Sequence, residues 1–306
     1  MIQDGDQVPG PALRRRLAMR KATRNRSRTS PRSRWAGAGF AVLFGHARSG
    51  TTVLARALGS HPEIGYWEEP ALLSHIEGKL QWLDLVAEHL VEDASVTDLA
   101  RTERDGNLRE QFAEEVKASR TEAEGVRTRA IRQLVASLRS DFLARSGGSV
   151  LLEKTPREIT LIQEARRLFP DARLIHIVRD GRDVVCSGLT WEQRWGRPGW
   201  VPKEGPLLDA IATQWAHRVG VALQTTGPDV LVVRYEELAE RGKPVAEACL
   251  EHLGLSWHRE VDRFLQAGMG GIHPNSIGRW RNDLDREQQA RVEEVAGETL
   301  RRAGYA

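Results

Sequence analysis

Cysteine is nearly absent from this chain. The two present, Cys186 and Cys249, make no metal-binding or redox spacing, so neither a disulfide scaffold nor a zinc site is expected. No apolar run approaches the roughly 18 residues of a membrane-spanning helix. The amino terminus carries no apolar stretch of the secretory type. A reducing, cytoplasmic compartment is the simplest expectation. No Gly-x-Ser-x-Gly elbow is present, which removes the hydrolase built on that turn.

Net charge is low, at +3 over 306 residues, but it is unevenly spread. Residues 1–36 hold ten Lys or Arg and two Asp, a net of +8, so the remainder is near −5. The basic character belongs to a tail. Its Arg residues are mixed with Ser, Thr and Pro and show little hydrophobic period, which reads as disorder. Such a tail can touch nucleic acid electrostatically, and a nucleic-acid-binding protein acting through it is one rival reading. A solvated tail with no specific nucleic acid is the expectation. The whole chain is 40% hydrophobic, enough for a large α/β core in the body, residues 37–306.

The richest stretch is Phe44-Gly45-His46-Ala47-Arg48-Ser49-Gly50-Thr51-Thr52. An apolar run from Phe40 to Phe44 precedes it and reads as a buried strand. Val53 to Leu58 follows and reads as a helix. Strand, glycine loop and helix are the context of a phosphate-cradling loop. The spacing Gly45-x-x-x-x-Gly50-x-Thr52 is that of a P-loop, except that Thr51 stands where the usual motif has Lys. The loop still offers backbone N–H groups and a positive helix end to an anion. Arg48 supplies a cation whose planar fork suits phosphate or sulfate.

Further along, Ile64 to Trp67 reads as a second strand, followed by Glu68, Glu69 and Pro70. If that strand lies beside the first, Glu68 or Glu69 falls near the bound anion, where a carboxylate can take a proton. Ile76 to Arg145 reads as helical with a polar centre, a helical insert or lid over residues 76–148. Its apolar series in the second half is Val126, Ala130, Leu134, Leu138 and Phe142. Ser149 to Pro156 is a third strand, ending at Lys154. Ligands sit outside the carboxyl ends of strands in open parallel sheets, so Lys154 joins the same region.

Arg173 to Val178 is a buried strand that runs into Arg179-Asp180-Gly181-Arg182. Arg179 and Ser187, two helical turns on, can grip one phosphate by fork and hydroxyl. His176 reads as a core histidine, Asp180 and Asp183 as helix-start charges or caps, and Cys186 as packing. Trp191, Trp195 and Trp200 fall in a Gly/Pro-rich loop that is expected to line an aromatic or apolar acceptor pocket. A helix over Leu207–Leu223 and a strand over Asp229–Val233 follow, and the strand leads into Arg234-Tyr235-Glu236. Gly270 to Arg281 is a polar loop with Arg279 and Trp280, suited to closing over a nucleotide. A final amphipathic helix starts near Asp285. The fold class is α/β: a P-loop-type three-layer fold with a central, mostly parallel sheet.

Taken together, these segments resemble the sulfotransferases that use 3′-phosphoadenosine 5′-phosphosulfate (PAPS), in a bacterial branch related to the tyrosylprotein sulfotransferases. Arg48-Ser49-Gly50-Thr51-Thr52 is similar to the family's 5′-phosphosulfate loop. Ser60-His61-Pro62 with Glu69 resembles the segment that brings the catalytic base. Arg179-Asp180-Gly181-Arg182 with Ser187 resembles the 3′-phosphate motif. Arg234-Tyr235-Glu236 and Gly278-Arg279-Trp280 also have counterparts. The resemblance implies sulfuryl transfer from PAPS to a hydroxyl, less readily an amine, of a small acceptor, leaving 3′,5′-ADP (PAP) and requiring no metal. It implies Glu69 as general base with Glu68 as the substitute, and Arg48 and Lys154 at the sulfuryl group. Ser49, Gly50, Thr51 and Thr52 would surround the 5′-phosphate. Arg179 and Ser187, supported by Tyr235 and Arg279, would hold the 3′-phosphate, and Ser276 is carried over as a further group at the sulfuryl end. The rival from the same loop is a P-loop nucleotide kinase or NTPase, which would want the missing Lys and a metal-binding acid, with Asp180 as its candidate.

Overall fold

The computed structural model describes residues 39–72, 76, 125, 128–267 and 274–305. The basic tail and most of the 76–148 insert lie outside the described residues. Five parallel strands form one sheet: β1 (Gly39–Phe44), β2 (Ile64–Glu68), β3 (Val150–Lys154), β4 (Arg173–Val178) and β5 (Val230–Arg234), in the order β2-β3-β1-β4-β5. β1 is central and all six of its residues are buried. Phe40, Val42 and Phe44 face one layer while Ala41 and Leu43 face the other. A strand covered on both faces reads as a continuous apolar run rather than an alternating one, as Phe40 to Phe44 does.

Helices cover both faces. On one side α1 (Thr51–Gly59) packs with the carboxyl-terminal helices 242–252 and 259–266, burying Leu54, Leu58, Leu250 and Val261. On the other, Ile159, Ile162 and Leu168 from the segment after β3 pack under Phe40 and Phe44. α2 (128–146) also lies on this side. A third cluster centres on Trp215 and Leu300, where the helices Leu207–Gln224 and Arg286–Arg302 meet.

Several expectations shift. β2 does not lie beside β1; β3 sits between them, pairing Leu43 with Lys154 on one side and Glu68 with Lys154 on the other. Because all the pairings are parallel, the carboxyl end of β2 still opens beside the loop after β1. In α2 the inward residues are Ile131, Val135 and Leu143, whereas Leu134 and Leu138 are exposed. Arg132 fixes this phase by donating to the carbonyls of Leu168 and Arg167. Trp191 and Trp195 are not in a loop. They end α4 (Gly181–Trp195), which follows the short helix α3 (Ile162–Leu168). α5 is Leu207–Gln224, and Tyr235 opens a short helix, α6 (Tyr235–Glu240), directly from β5.

The first turn after β1 depends on close packing. A Cβ at Gly45 would stand 2.4 Å from the Ile177 carbonyl oxygen, so only glycine lets the chain leave the sheet there.

His176 is fully buried on β4 and stacks on Phe44 with ring centroids 5.4 Å apart. Burial pushes its pKa down from the ordinary 6.5 to about 4. The unfolded chain therefore binds the extra proton between those values, and folding stability falls as pH drops from 6.5 toward 4. At about 1.4 kcal/mol per pKa unit the loss is on the order of 3 kcal/mol. Urea unfolding followed across that range should show this acid limb, and His176→Phe should make it shallower without abolishing it, because buried His46 is likewise lowered to about 4.

Candidate active site

Every strand delivers a candidate residue at its carboxyl end. β1 runs into the loop 45–50. This loop ends at Gly50, the left-handed N-cap of α1 with φ 88°, and no side chain caps the helix. Val53 N–H donates to the Gly50 carbonyl, which leaves the N–H groups of Thr51 and Thr52 to face an anion. A Cβ at Gly50 would stand 2.7 Å from the Tyr235 ring, so the loop and the start of α6 are pressed together.

β4 ends in Arg179, which is 5% exposed. One of its terminal nitrogens donates to the Arg48 carbonyl at 2.9 Å and the other to the Ser276 carbonyl at 2.7 Å. Its guanidinium lies 4.1 Å from the centroid of the Tyr235 ring. The Tyr235 hydroxyl meets Ser276 Oγ at 2.6 Å. Arg48 Nε donates to Ser187 Oγ at 3.0 Å, and its guanidinium stands over Trp191. Arg48, Arg179, Ser187, Tyr235 and Ser276 thus form one connected group. Desolvation and the neighbouring Arg179 charge both lower the Arg48 pKa, the mark of two cations held together. Arg179 Nε and Ser49 Oγ are buried without a partner among the described residues.

On the β3 side, buried Lys154 donates to Thr52 Oγ1 at 3.0 Å and to Glu69 Oε1 at 2.5 Å. The same ammonium lies 3.9 Å from Glu68 Oε1, but the two adjacent carboxylates differ in their other surroundings. Glu68 accepts from Arg56 at 3.1 Å, while Glu69, 57% exposed, lines a cavity of about 540 Å³ with Ala47, Thr155, Trp200 and Arg218. Among the described residues, the non-glycine positions at positive φ are Arg48 (70°), Glu69 (51°) and Ala71 (52°). All three flank this site, and strain of this kind is retained where the surroundings impose it.

The late segment is held from below by Asp183. It is fully buried, and its two oxygens accept from the backbone N–H groups of Gly278 at 2.7 Å and Trp280 at 3.0 Å. Desolvation raises its pKa while those two donors oppose the rise. Arg279 reaches Thr190 and Asp283, not the Arg48–Arg179 group. Asp180 is the expected cap, accepting from Arg182 N; Asp183 is not a cap but a clamp. Trp200 lines the cavity as expected, whereas Trp191 lies under Arg48 and pairs with Trp195. His61 is buried and bonded to the Ser256 carbonyl. Cys186 is buried and its thiol is pushed up to about 12, chiefly by desolvation.

The family model for the sulfotransferase family matches residues 41–259. The chain belongs to the sulfotransferase family. Nodulation protein NoeE of Sinorhizobium fredii is 25% identical over 293 residues, covering 84% of this chain and 64% of its own length; the chain thus spans less than two thirds of that relative. The solved sulfotransferase domain of the Synechococcus PCC 7002 olefin synthase superposes with a TM-score of 0.51 at 18% identity, covering 89% of this chain and 98% of that one, which bears out the fold. The P-loop kinase reading is not favoured by these matches. None of the described helices is long and apolar enough to cross a membrane.

Sequence reasoning missed Arg218. The available signal was its place on α5, one turn after Gln214 and next to the buried Val219, so that a cation sits at the edge of an otherwise inward face.

The Asp183 clamp predicts that Asp183→Asn loses one of two acceptors and sets an NH₂ group against a backbone N–H, at a cost of roughly 1–3 kcal/mol. Thermal unfolding should record that loss, and limited proteolysis should open the 274–284 segment. An unchanged digestion pattern would contradict the clamp.

Proposed function

We propose that this sulfotransferase transfers the sulfuryl group of PAPS to the hydroxyl, less readily the amine, of a small acceptor, with Glu69 as general base. The observation that carries the reading is the joined Arg48–Arg179–Ser187 group beside an uncapped helix start. Two buried donors without a partner, Ser49 Oγ and Arg179 Nε, point to an anion at this place, since such groups are costly unless satisfied. The donor set is cationic and hydroxylic, as a nucleotide carrying phosphate at both ends of its ribose requires.

In this reading Ser49, Gly50, Thr51 and Thr52 surround the 5′-phosphate with backbone N–H groups and hydroxyls. Arg179 and Ser187 hold the 3′-phosphate, and Tyr235 stacks on the Arg179 guanidinium to keep it aimed. Arg279 supports from the second layer, through Thr190, rather than by contact. PAPS supplies an activated sulfuryl group. Sulfuryl transfer, like phosphoryl transfer, goes through a loose transition state with charge on peripheral and leaving oxygens, so the protein contributes positioning and fixed charge. Arg48 and Lys154 provide that charge, whereas Ser276, expected at the sulfuryl group, is bonded to Tyr235 and Arg179 and goes with the 3′-phosphate residues. Glu69 takes the acceptor proton. Its preference over Glu68 is supported by Arg56 engaging Glu68 and by Glu69 lining the cavity. The Lys154–Glu69 ion pair keeps the carboxylate in place until the acceptor enters.

Glu69→Gln should lower kcat by about 10²–10⁴, the usual general-base contribution, with little change in PAP affinity. Turnover is read as sulfated product by mass spectrometry, and a near-normal rate would reject Glu69 as the base. Arg179→Ala should weaken PAP binding by about 10- to 100-fold, the worth of a charge-assisted contact. Calorimetry showing unchanged affinity in a folded variant would remove Arg179 from the donor site.

A further inference from the structure

In Arg234-Tyr235-Glu236 the middle residue stacks on Arg179; the two beside it engage different partners. β4 and β5 stay paired as far as Val178 and Arg234. Beyond that pair both chains turn toward helices, α4 and α6, and the backbone ladder ends. A side chain takes over from it. Glu236 Oε1 accepts from the backbone N–H of Asp180 at 3.0 Å. Asp180 directly follows Arg179, and Glu236 directly follows Tyr235. One carboxylate therefore ties the guanidinium to the ring that lies against it.

The second oxygen of this carboxylate is held from a distant part of the chain. Tyr305 donates its hydroxyl to Glu236 Oε2 at 3.0 Å. It arrives there through the way the helix Arg286–Arg302 ends. Gly304 lies at φ 75°, and its N–H donates to the Arg301 carbonyl at 3.0 Å. The Tyr305 N–H donates to the Leu300 carbonyl at 2.8 Å. These two bonds make a Schellman turn, which folds the residue after the glycine back against the helix's own apolar side. Tyr305 is accordingly buried, in one cluster with Leu300 and Ala303. Arg234 braces the turn by donating to the Ala303 carbonyl, with its guanidinium 4.6 Å from the centroid of the Tyr305 ring. Burial, and then the Glu236 charge, push the Tyr305 pKa up, so the hydroxyl stays a donor.

A glutamate side chain is costly to order, and one held at both oxygens has been ordered before any ligand arrives. Placement of a binding group in advance is worth much in affinity, because small displacements of a charged contact are expensive. We propose that Tyr305 is a positioning residue for the 3′-phosphate grip: by fixing Glu236 it sets how Arg179 and Tyr235 stand against each other, and so how tightly a 3′-phosphate is held. This rests on the preceding reading of Arg179 as the 3′-phosphate ligand.

The test uses the full chain and two nucleotides, PAP and AMP, which differ only in the 3′-phosphate. Calorimetry gives both affinities for wild type, Tyr305→Phe, Glu236→Asp and the double variant, below the thermal midpoint of each. Tyr305→Phe keeps the ring and removes only the hydroxyl. It should weaken PAP by about 5- to 20-fold, part of the roughly 10- to 100-fold that a hydrogen bond to a charged group is worth, and leave AMP affinity unchanged. Glu236→Asp keeps the charge but is too short to span both donors, and it should act the same way. The double variant should lose less than the product of the two, because the hydroxyl works only through that carboxylate. Unchanged PAP affinity in a folded single variant would overturn the assignment. So would equal weakening of PAP and AMP, the mark of a merely structural residue, or losses that simply multiply. Should Tyr305→Phe show no cooperative thermal transition, Glu236→Asp decides on the same two affinities. A wild type that binds PAP no better than AMP would instead sink the reading of Arg179, and this inference with it.

Discussion

One buried cation ties the catalytic end of the molecule together. Arg179 leaves β4 and spends its guanidinium on two backbone carbonyls, those of Arg48 and Ser276, from segments far apart in sequence. The Tyr235 ring lies against it and Trp215 holds its own carbonyl. Removing a guanidinium from water is expensive, and carbonyl dipoles offset only part of that cost. The arrangement therefore fixes four segments in space while leaving positive charge in excess. That residual charge favours an anion between them, and stability and binding draw on the same interaction.

The parallel sheet explains why these residues meet. With the order β2-β3-β1-β4-β5, the chain departs from β1 to opposite sides, and the crevice at such a switch point is where α/β sheets place ligands. The carboxyl ends then read across the sheet as Glu69, Lys154, the Arg48 loop, Arg179 and Tyr235. Glu69 and Lys154 fall on the β2–β3 side and Arg179 and Tyr235 on the β4–β5 side, with the Arg48 loop between them. Under the proposed function this keeps proton removal apart from the grip on the 3′-phosphate, and Lys154 stands between them. Positive φ at Arg48, Glu69 and Ala71 shows that the backbone is forced at the points where the two sides come together.

Much of this was legible from residue pattern. Phe40–Phe44 and Arg173–Val178 are apolar runs closed by glycine or charge, and such runs form buried parallel strands. Gly45 and Gly50 marked the loop because no other residue fits either conformation. What pattern could not show was contact across the sheet. Glu68 and Glu69 are indistinguishable by spacing; the position of Arg56 on α1 and the cavity beside Glu69 tell them apart. Asp183 looks like any acid in a first helical turn until the chain returns nearly a hundred residues later with two unpaired N–H groups. Trp191 and Trp195 were misplaced because Gly196 and Pro198 suggested a loop starting one turn too early. The phase of α2 failed for a related reason: an apolar series at i, i+4 was present, but tertiary hydrogen bonds from Arg132 turned a neighbouring stripe inward.

The missing P-loop lysine has a structural counterpart. In the nucleotidase motif the lysine follows the second glycine and the next hydroxyl holds a metal ion. Here Thr51 takes the lysine's position, and the next hydroxyl, Thr52 Oγ1, accepts from Lys154 reaching over from the neighbouring strand. The cation has moved from the loop to the sheet, and in moving it has gained a second partner, Glu69. A loop lysine serves only the bound anion. Under the proposed function, a strand lysine joined to a carboxylate would couple the anion to the proton acceptor, because charge gathered at one end of the ammonium weakens its hold on the other. An acceptor that loses a proton as it gains a sulfuryl group would need that coupling, and hydrolysis of a triphosphate would not.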